Sequence, residues 1–114
     1  MKVSVKEPAI TMKTPKAELL GIKPELFEDF FAWDCRPNYI AVTRMQARIS
    51  HEDEAYTGFF EALKYVVSEI RIIAPIQEII PYLERYGFKK MIEPCGTPYY
   101  TNTRFLFETN PVIF

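Results

Sequence analysis

The chain has few of the residues that build metal sites and disulfide frameworks. Its 114 residues include two cysteines and one histidine, and they contain no C-x-x-C pair and no cluster of cysteine with histidine. This composition argues against a zinc site, so we predict no bound metal. Two cysteines in a chain that can form a core are typical of reduced thiols, with a single disulfide as the open alternative.

Long apolar runs and a strong excess of one charge are also missing. No apolar stretch approaches the ~18 residues that would span a membrane, and the opening MKVSVKEPAITMK is too polar and too broken by proline for a signal peptide. The formal net charge of −1 argues against nucleic-acid binding. We therefore expect a protein that does not enter a membrane, is not exported and binds no specific nucleic-acid sequence.

What is present is a globular composition in a chain of single-domain length. Hydrophobic residues make up 48% and aromatic residues 15% of the sequence, which is enough for one core. Residues 1–23 are rich in proline and lysine, and this favours an extended N-terminal arm with at most one short strand. Residues 24–114 are predicted to form the folded domain.

The apolar pattern of this domain predicts helices and strands in alternation. KPELFEDFFAW is predicted to be a helix, because Leu26, Phe27, Phe30 and Phe31 form one stripe at helical spacing. Further helices are predicted for EAYTGFFEALKYVVSEI and QEIIPYLERYG, the second with Pro81 in its first turn. Strands are predicted for YIAVTRMQARIS, IRIIAPI, KKMIE and TRFLFET, with PCGTPYYTN as a loop between the last two.

The end of the last predicted helix has a clear local signal. Gly87 follows YLERY directly and is followed by Phe88 and the strand KKMIE. Glycine adopts a left-handed backbone conformation without a Cβ clash, so it is the usual residue at a helix C-terminus. We expect Gly87 to end the helix and Phe88 to turn back into the core.

The element order and YLERYGF together resemble the C-terminal half of the GNAT family of N-acetyltransferases, whose fourth helix ends in a similar pattern. The likeness covers about residues 40–110 and implies a single-domain α/β fold, in which helices flank a mixed sheet with the order strand-helix-strand-helix-strand-strand. The region before Tyr39 is too short for the family's usual first elements, so the fold is expected to be truncated. The chain is also similar to small acetyltransferase-like phage proteins, which implies a cytoplasmic or virion-associated location.

The sequence departs from this family where the cofactor should bind. The family holds the pyrophosphate of acetyl-CoA in a glycine-rich turn at the start of its third helix, where bare backbone amides and the helix N-terminus face the phosphates. Here that turn is degenerate, and acidic residues suit a helix N-terminus better than they suit a pyrophosphate. The residues of the degenerate turn are Glu52, Asp53, Glu54, Tyr56 and Gly58.

The expected catalytic residue is also displaced. The family's general-acid tyrosine falls on Leu83, whereas Tyr82 and Tyr86 lie on other faces of the same helix. If the chain is an enzyme, these two tyrosines are the candidates for proton transfer.

Three functions remain open at this point. The first is a degenerate GNAT-like domain without acyl transfer or cofactor, acting as a structural or protein-interaction component, with a phage virion as its expected setting. The second is a divergent N-acetyltransferase that uses acetyl-CoA. The third is a small inhibitor that binds a host protein through the acidic loop.

Two further features favour a protein partner or self-association. The chain closes on apolar residues that need cover, namely Val112, Ile113 and Phe114. An aromatic cluster is most simply core, but it would be an interface if the truncated fold leaves one face of the sheet open. The cluster consists of Phe27, Phe30, Phe31, Trp33 and Tyr39.

Overall fold

The computed structural model describes residues 8–102, which form six strands and three α-helices with the turns between them. The strands are β1 (Ala9–Thr11), β2 (Phe27–Cys35), β3 (Tyr39–Ala47), β4 (Ile70–Ile73), β5 (Lys89–Ile92) and β6 (Pro98–Thr101). The helices are α1 (Pro15–Leu19), α2 (Glu52–Leu63) and α3 (Ile80–Arg85), and a 3₁₀ turn at Gln77–Ile79 leads into α3.

The strands form one mixed sheet with the order β1-β2-β3-β4-β6-β5. Strands β3 and β4 are parallel and are connected through α2, whereas the other neighbours pair antiparallel. From Tyr39 to Ile92 the elements follow the predicted order strand, helix, strand, helix, strand. The predicted class, an α/β fold with a mixed sheet and flanking helices, is confirmed.

The three helices pack against the same face of the sheet. Ala17 of α1, Phe59 of α2 and Leu83 of α3 belong to one buried cluster with the inward residues of the strands. The rings of Phe59 and Phe30 meet edge to face with their centroids 6.3 Å apart. Burial of this apolar surface on one side of the sheet is the main stabilising term of the fold.

The predicted helix over KPELFEDFFAW is wrong, because most of this segment is the long strand β2. The pairing of β2 with β3 shifts register between Phe27 and Asp29 and again between Phe31 and Ala32. Such irregularities interrupt the two-residue alternation of a strand. As a result Phe27, Phe30 and Ala32 are all buried, and this spacing imitates the apolar stripe of a helix.

The arm predicted for residues 1–23 allowed one short strand, and β1 is such a strand, but the helix α1 was not predicted. Strand β1 pairs antiparallel with β2, and α1 follows it with Pro15 at the start of the helix, where proline is tolerated. Ile10, Leu20 and Ile22 are at most 3% exposed. This segment is therefore part of the same core as the rest of the described chain.

Two other element boundaries differ from the prediction. Helix α2 ends at Leu63 rather than continuing to Ile70, and Val67 is 84% exposed. Residues 98–101, predicted as loop, form β6 in the middle of the sheet between β4 and β5. The strand predicted for TRFLFET lies outside the described residues.

Gly87 ends α3 as predicted. Its φ is +81°, and its N–H donates to the carbonyl of Glu84 at 3.2 Å while the N–H of Phe88 donates to that of Leu83 at 2.9 Å. These two bonds form a Schellman motif, which needs a left-handed residue at its centre. Pro81 lies in the first turn of α3, also as predicted.

Candidate functional site

The candidate site is the N-terminal part of α2, where this helix meets the end of β3 and the 3₁₀ turn. Tyr56 is fully buried there. Its hydroxyl accepts a hydrogen bond from the backbone N–H of Ala47 at 2.8 Å and donates one to the carboxylate of Glu78. Tyr56 thus connects α2 with the end of β3 and with the 3₁₀ turn, and the N–H at the end of β3 already has its hydrogen-bond acceptor.

Four acidic side chains give this site a negative charge. Glu52, Asp53 and Glu54 occupy the first turn of α2, and Glu78 adds a fourth carboxylate through Tyr56. Burial, followed by the hydrogen bond to Glu78, raises the pKa of Tyr56, so its hydroxyl stays protonated. Acidic side chains in the first turn stabilise the helix dipole, and the same charges oppose a pyrophosphate.

Gly58, the one glycine of the degenerate turn, lies inside α2 and not in a phosphate-binding loop. It faces Gly21, which follows α1 in a left-handed conformation with φ +76°. A Cβ at Gly21 would lie 2.6 Å from the carbonyl oxygen of Gly58. The close approach of the two backbone segments therefore explains the glycine at position 21.

The two candidate catalytic tyrosines join α3 to α2. The Tyr82 hydroxyl donates to Asp53 at 2.9 Å, and the Tyr86 hydroxyl donates to Glu61 at 2.8 Å. Burial, followed by these hydrogen bonds, raises the pKa of both tyrosines. Tyr86 also stacks on Phe60 with the ring centroids 5.2 Å apart. A tyrosine with a raised pKa is a weaker acid, so these contacts favour a packing role.

A cavity that the sequence did not predict lies between β3 and β4. Their parallel pairing stops at Val42 and Ile72, but β3 continues to Ala47. Because β4 ends at Ile73, the second half of β3 and the segment that follows β4 border a cavity of about 170 Å³. Residues 43–46 and 73–76 line it among others, and neither Tyr82 nor Tyr86 is in its wall. Periodicity indicates that a strand exists, but it carries no information on where its pairing stops.

Other predicted features are placed as follows. Within residues 8–102, no three side chains of His, Cys, Asp or Glu lie together as metal ligands would. Cys35 is half-buried and Cys95 is exposed, and both are free thiols. In the same part of the chain, no helix is long and apolar enough to cross a membrane. Val112, Ile113 and Phe114 lie outside the described residues.

Comparison with protein-family models, with curated proteins and with solved structures finds no significant match to this chain. The likeness to the GNAT family therefore depends on the YLERYGF segment and the order of the elements.

Proposed function

We propose that this chain is a degenerate GNAT-like domain that transfers no acyl group and acts as a structural or protein-interaction component. The observation that carries the proposal is the buried Tyr56, whose hydroxyl lies between the N–H of Ala47 and the carboxylate of Glu78. A site for a cofactor pyrophosphate needs unoccupied N–H groups at a helix N-terminus. Here the Tyr56 hydroxyl accepts the hydrogen bond of the Ala47 N–H at the end of β3, and its own hydrogen bond holds the Glu78 carboxylate close to the start of α2.

Charge supports the same conclusion. The first turn of α2 carries Glu52, Asp53 and Glu54, and Tyr56 holds Glu78 beside them. Phosphate oxygens that approach this turn would meet carboxylates rather than bare amides, and like charges at contact distance repel each other. The expected setting in a phage virion, or in the cytoplasm, stays a prediction from the resemblance.

Calorimetric titration of the full chain with acetyl-CoA tests this function. We expect no binding heat, because the turn lacks both the glycines and the positive charge that the cofactor needs. A dissociation constant of ~100 μM or tighter, about −5.5 kcal/mol, would contradict the proposal.

A charge-neutral variant provides the matched control for this titration. Glu52→Gln, Asp53→Asn and Glu54→Gln together remove the surface charge but leave Tyr56 and Glu78 in place. We expect this variant to fold and still not to bind acetyl-CoA. If the variant binds acetyl-CoA, the charge of these three residues is what prevents binding by the wild type, and the Tyr56 contacts are not the cause.

The cavity between β3 and β4 favours one alternative, a divergent acetyl-CoA-dependent N-acetyltransferase. Ligands of α/β proteins commonly bind at the carboxyl ends of parallel strands, which is where β3 and β4 separate. Under this alternative Tyr82 or Tyr86 would have to release its carboxylate partner before it could donate a proton. Acetyl-CoA hydrolysis or amine acetylation by the wild type, lost in Tyr82→Phe or Tyr86→Phe, would support it.

A further inference from the structure

A second cleft lies between α1 and the segment that follows α2, where β2 turns into β3. At its base are Ile10, Leu20 and Ile40, which are at most 3% exposed. Its volume is about 280 Å³, against about 170 Å³ for the cavity between β3 and β4, and it approaches the ~300 Å³ at which ligand pockets begin. The cleft shares no lining residue with the surroundings of Tyr56. It is therefore a separate candidate site.

The rim of this cleft is apolar and exposed. Leu19, Tyr65 and Val67 line it, and these residues are 73%, 86% and 84% exposed. Within residues 8–102, eight large apolar residues are exposed, and three of the eight thus lie around this one cleft. Apolar surface that is concentrated around a concave site is typical of a place where a ligand binds.

The charged groups of the cleft are two cations. Lys16 and Arg36 belong to its lining, and both donate hydrogen bonds to the carboxylate of Asp34, Arg36 through Nη2 at 2.8 Å. The Asp34 side chain is 8% exposed, whereas those of Lys16 and Arg36 are 45% and 46% exposed. The buried carboxylate therefore holds both cations in position while about half of each cationic side chain stays accessible.

The charge around the cleft is complementary to a single negative charge. Lys16 and Arg36 together with Asp34 leave one net positive charge, and the described lining contains no aspartate or glutamate. Ammonium and guanidinium groups form strong hydrogen bonds with carboxylates and phosphates. A carboxylate carries the single charge that balances the cleft, whereas a phosphate monoester carries about −1.5 to −2 at neutral pH. The cleft therefore matches a molecule with one apolar chain and one carboxylate.

We propose that this cleft binds a single-chain aliphatic carboxylate of medium length, with its carboxylate at Lys16 and Arg36. The aliphatic chain lies on Ile10 and Ile40 at the base of the cleft. A volume of about 280 Å³ suits one short chain rather than the two long chains of a phospholipid. The inference goes beyond the proposed function, because it concerns a different surface and involves no acyl transfer. Failure of either proposal leaves the other unchanged.

Calorimetric titration of the full chain with decanoate, at concentrations below those at which it forms micelles, tests the site. We expect saturable binding of one decanoate per chain. Decanol should bind about tenfold more weakly or worse, because it lacks the charge that strengthens the hydrogen bonds to the cations. Each methylene group removed from the acid should weaken binding roughly fourfold. No saturable binding up to ~1 mM, or equal affinities for decanoate and decanol, would overturn the proposal.

Two cleft variants with matched controls locate the site, and far-ultraviolet circular dichroism checks that each variant is folded. Arg36→Gln should weaken decanoate binding about tenfold, whereas Arg44→Gln, which also removes an ion-paired arginine, should bind like the wild type. Leu19→Glu should weaken decanoate binding by at least as much, because it places a carboxylate on the exposed rim. Ile49→Glu is its control, since Ile49 is 86% exposed but lies outside the cleft. If a folded cleft variant binds decanoate like the wild type, or a control variant loses binding equally, the ligand binds elsewhere and the proposal is wrong.

Discussion

Replacement of Gly21 by alanine tests whether the segment before β2 belongs to the core. Gly21 follows α1 with φ +76°, and a Cβ there would lie 2.6 Å from the carbonyl oxygen of Gly58 and 2.8 Å from the Cβ of Ala62. Neither atom can move freely, because Phe59 and Leu63 of the same helix are buried. The new methyl group must therefore push α1 and α2 apart.

Two terms set the expected loss of stability for Gly21→Ala. A left-handed alanine costs roughly 1–2 kcal/mol, and overpacking at a contact with backbone costs roughly 1–3 kcal/mol. The sum is about 2–5 kcal/mol, a large fraction of the 5–15 kcal/mol that a domain of this kind has.

Two other glycines separate these terms. Gly87 has φ +81°, and a Cβ added to it would have no atom within 4 Å, so Gly87→Ala should cost only the conformational term of about 1–2 kcal/mol. At Gly58 a Cβ would meet only the carbonyl oxygen of Gly21, at 4.0 Å. Gly58→Ala should therefore stabilise the helix by about 0.5–1 kcal/mol.

Urea unfolding followed by circular dichroism, at one fixed protein concentration, measures all three free energies of unfolding. The comparison is valid if the free energy of unfolding of all three variants changes with urea concentration at the wild-type slope. A loss in Gly21→Ala no larger than that in Gly87→Ala would refute the reasoning. The segment that contains α1 would then not pack on α2, and the extended arm predicted from composition would be correct.

Two further predictions follow from side-chain hydrogen bonds. The hydrogen bond from Arg36 holds the pKa of Asp34 well below its usual range, so the charged form contributes stability above about pH 4, the unfolded value, and this contribution is lost as the pH falls below it. Asp34→Asn should lower the free energy of unfolding by about 1–3 kcal/mol at neutral pH and by less in acid. Asp29→Asn is the control and should have a small effect, because the Asp29 side chain is more exposed. An equal loss for Asp34→Asn at all pH values would contradict this. Tyr56→Phe should cost about 1–3 kcal/mol, because the N–H of Ala47 loses its acceptor, and an unchanged urea midpoint would show that water replaces it.

The sequence by itself determined the features that depend on neighbouring residues. Gly87 ends α3 because only a residue without Cβ adopts the left-handed conformation easily, and Pro81 marks the first turn because it could not lie deeper in a helix. The acidic residues after His51 were correctly interpreted as the first turn of α2. Together with the apolar periods, these local signals produced the correct order of elements from Tyr39 to Ile92, whereas β6 was predicted as a loop.

The tertiary structure decided whatever depends on residues far apart in the chain. Strand β2 resembles a helix in sequence because the irregular register with β3 breaks its alternation. Tyr56 and Glu78 are 22 positions apart, and Tyr82 and Asp53 are 29 apart, so neither hydrogen bond has a local signature. Which side of a strand the helices cover is determined by the packing of the whole sheet, and a periodic pattern shows only that the two sides differ.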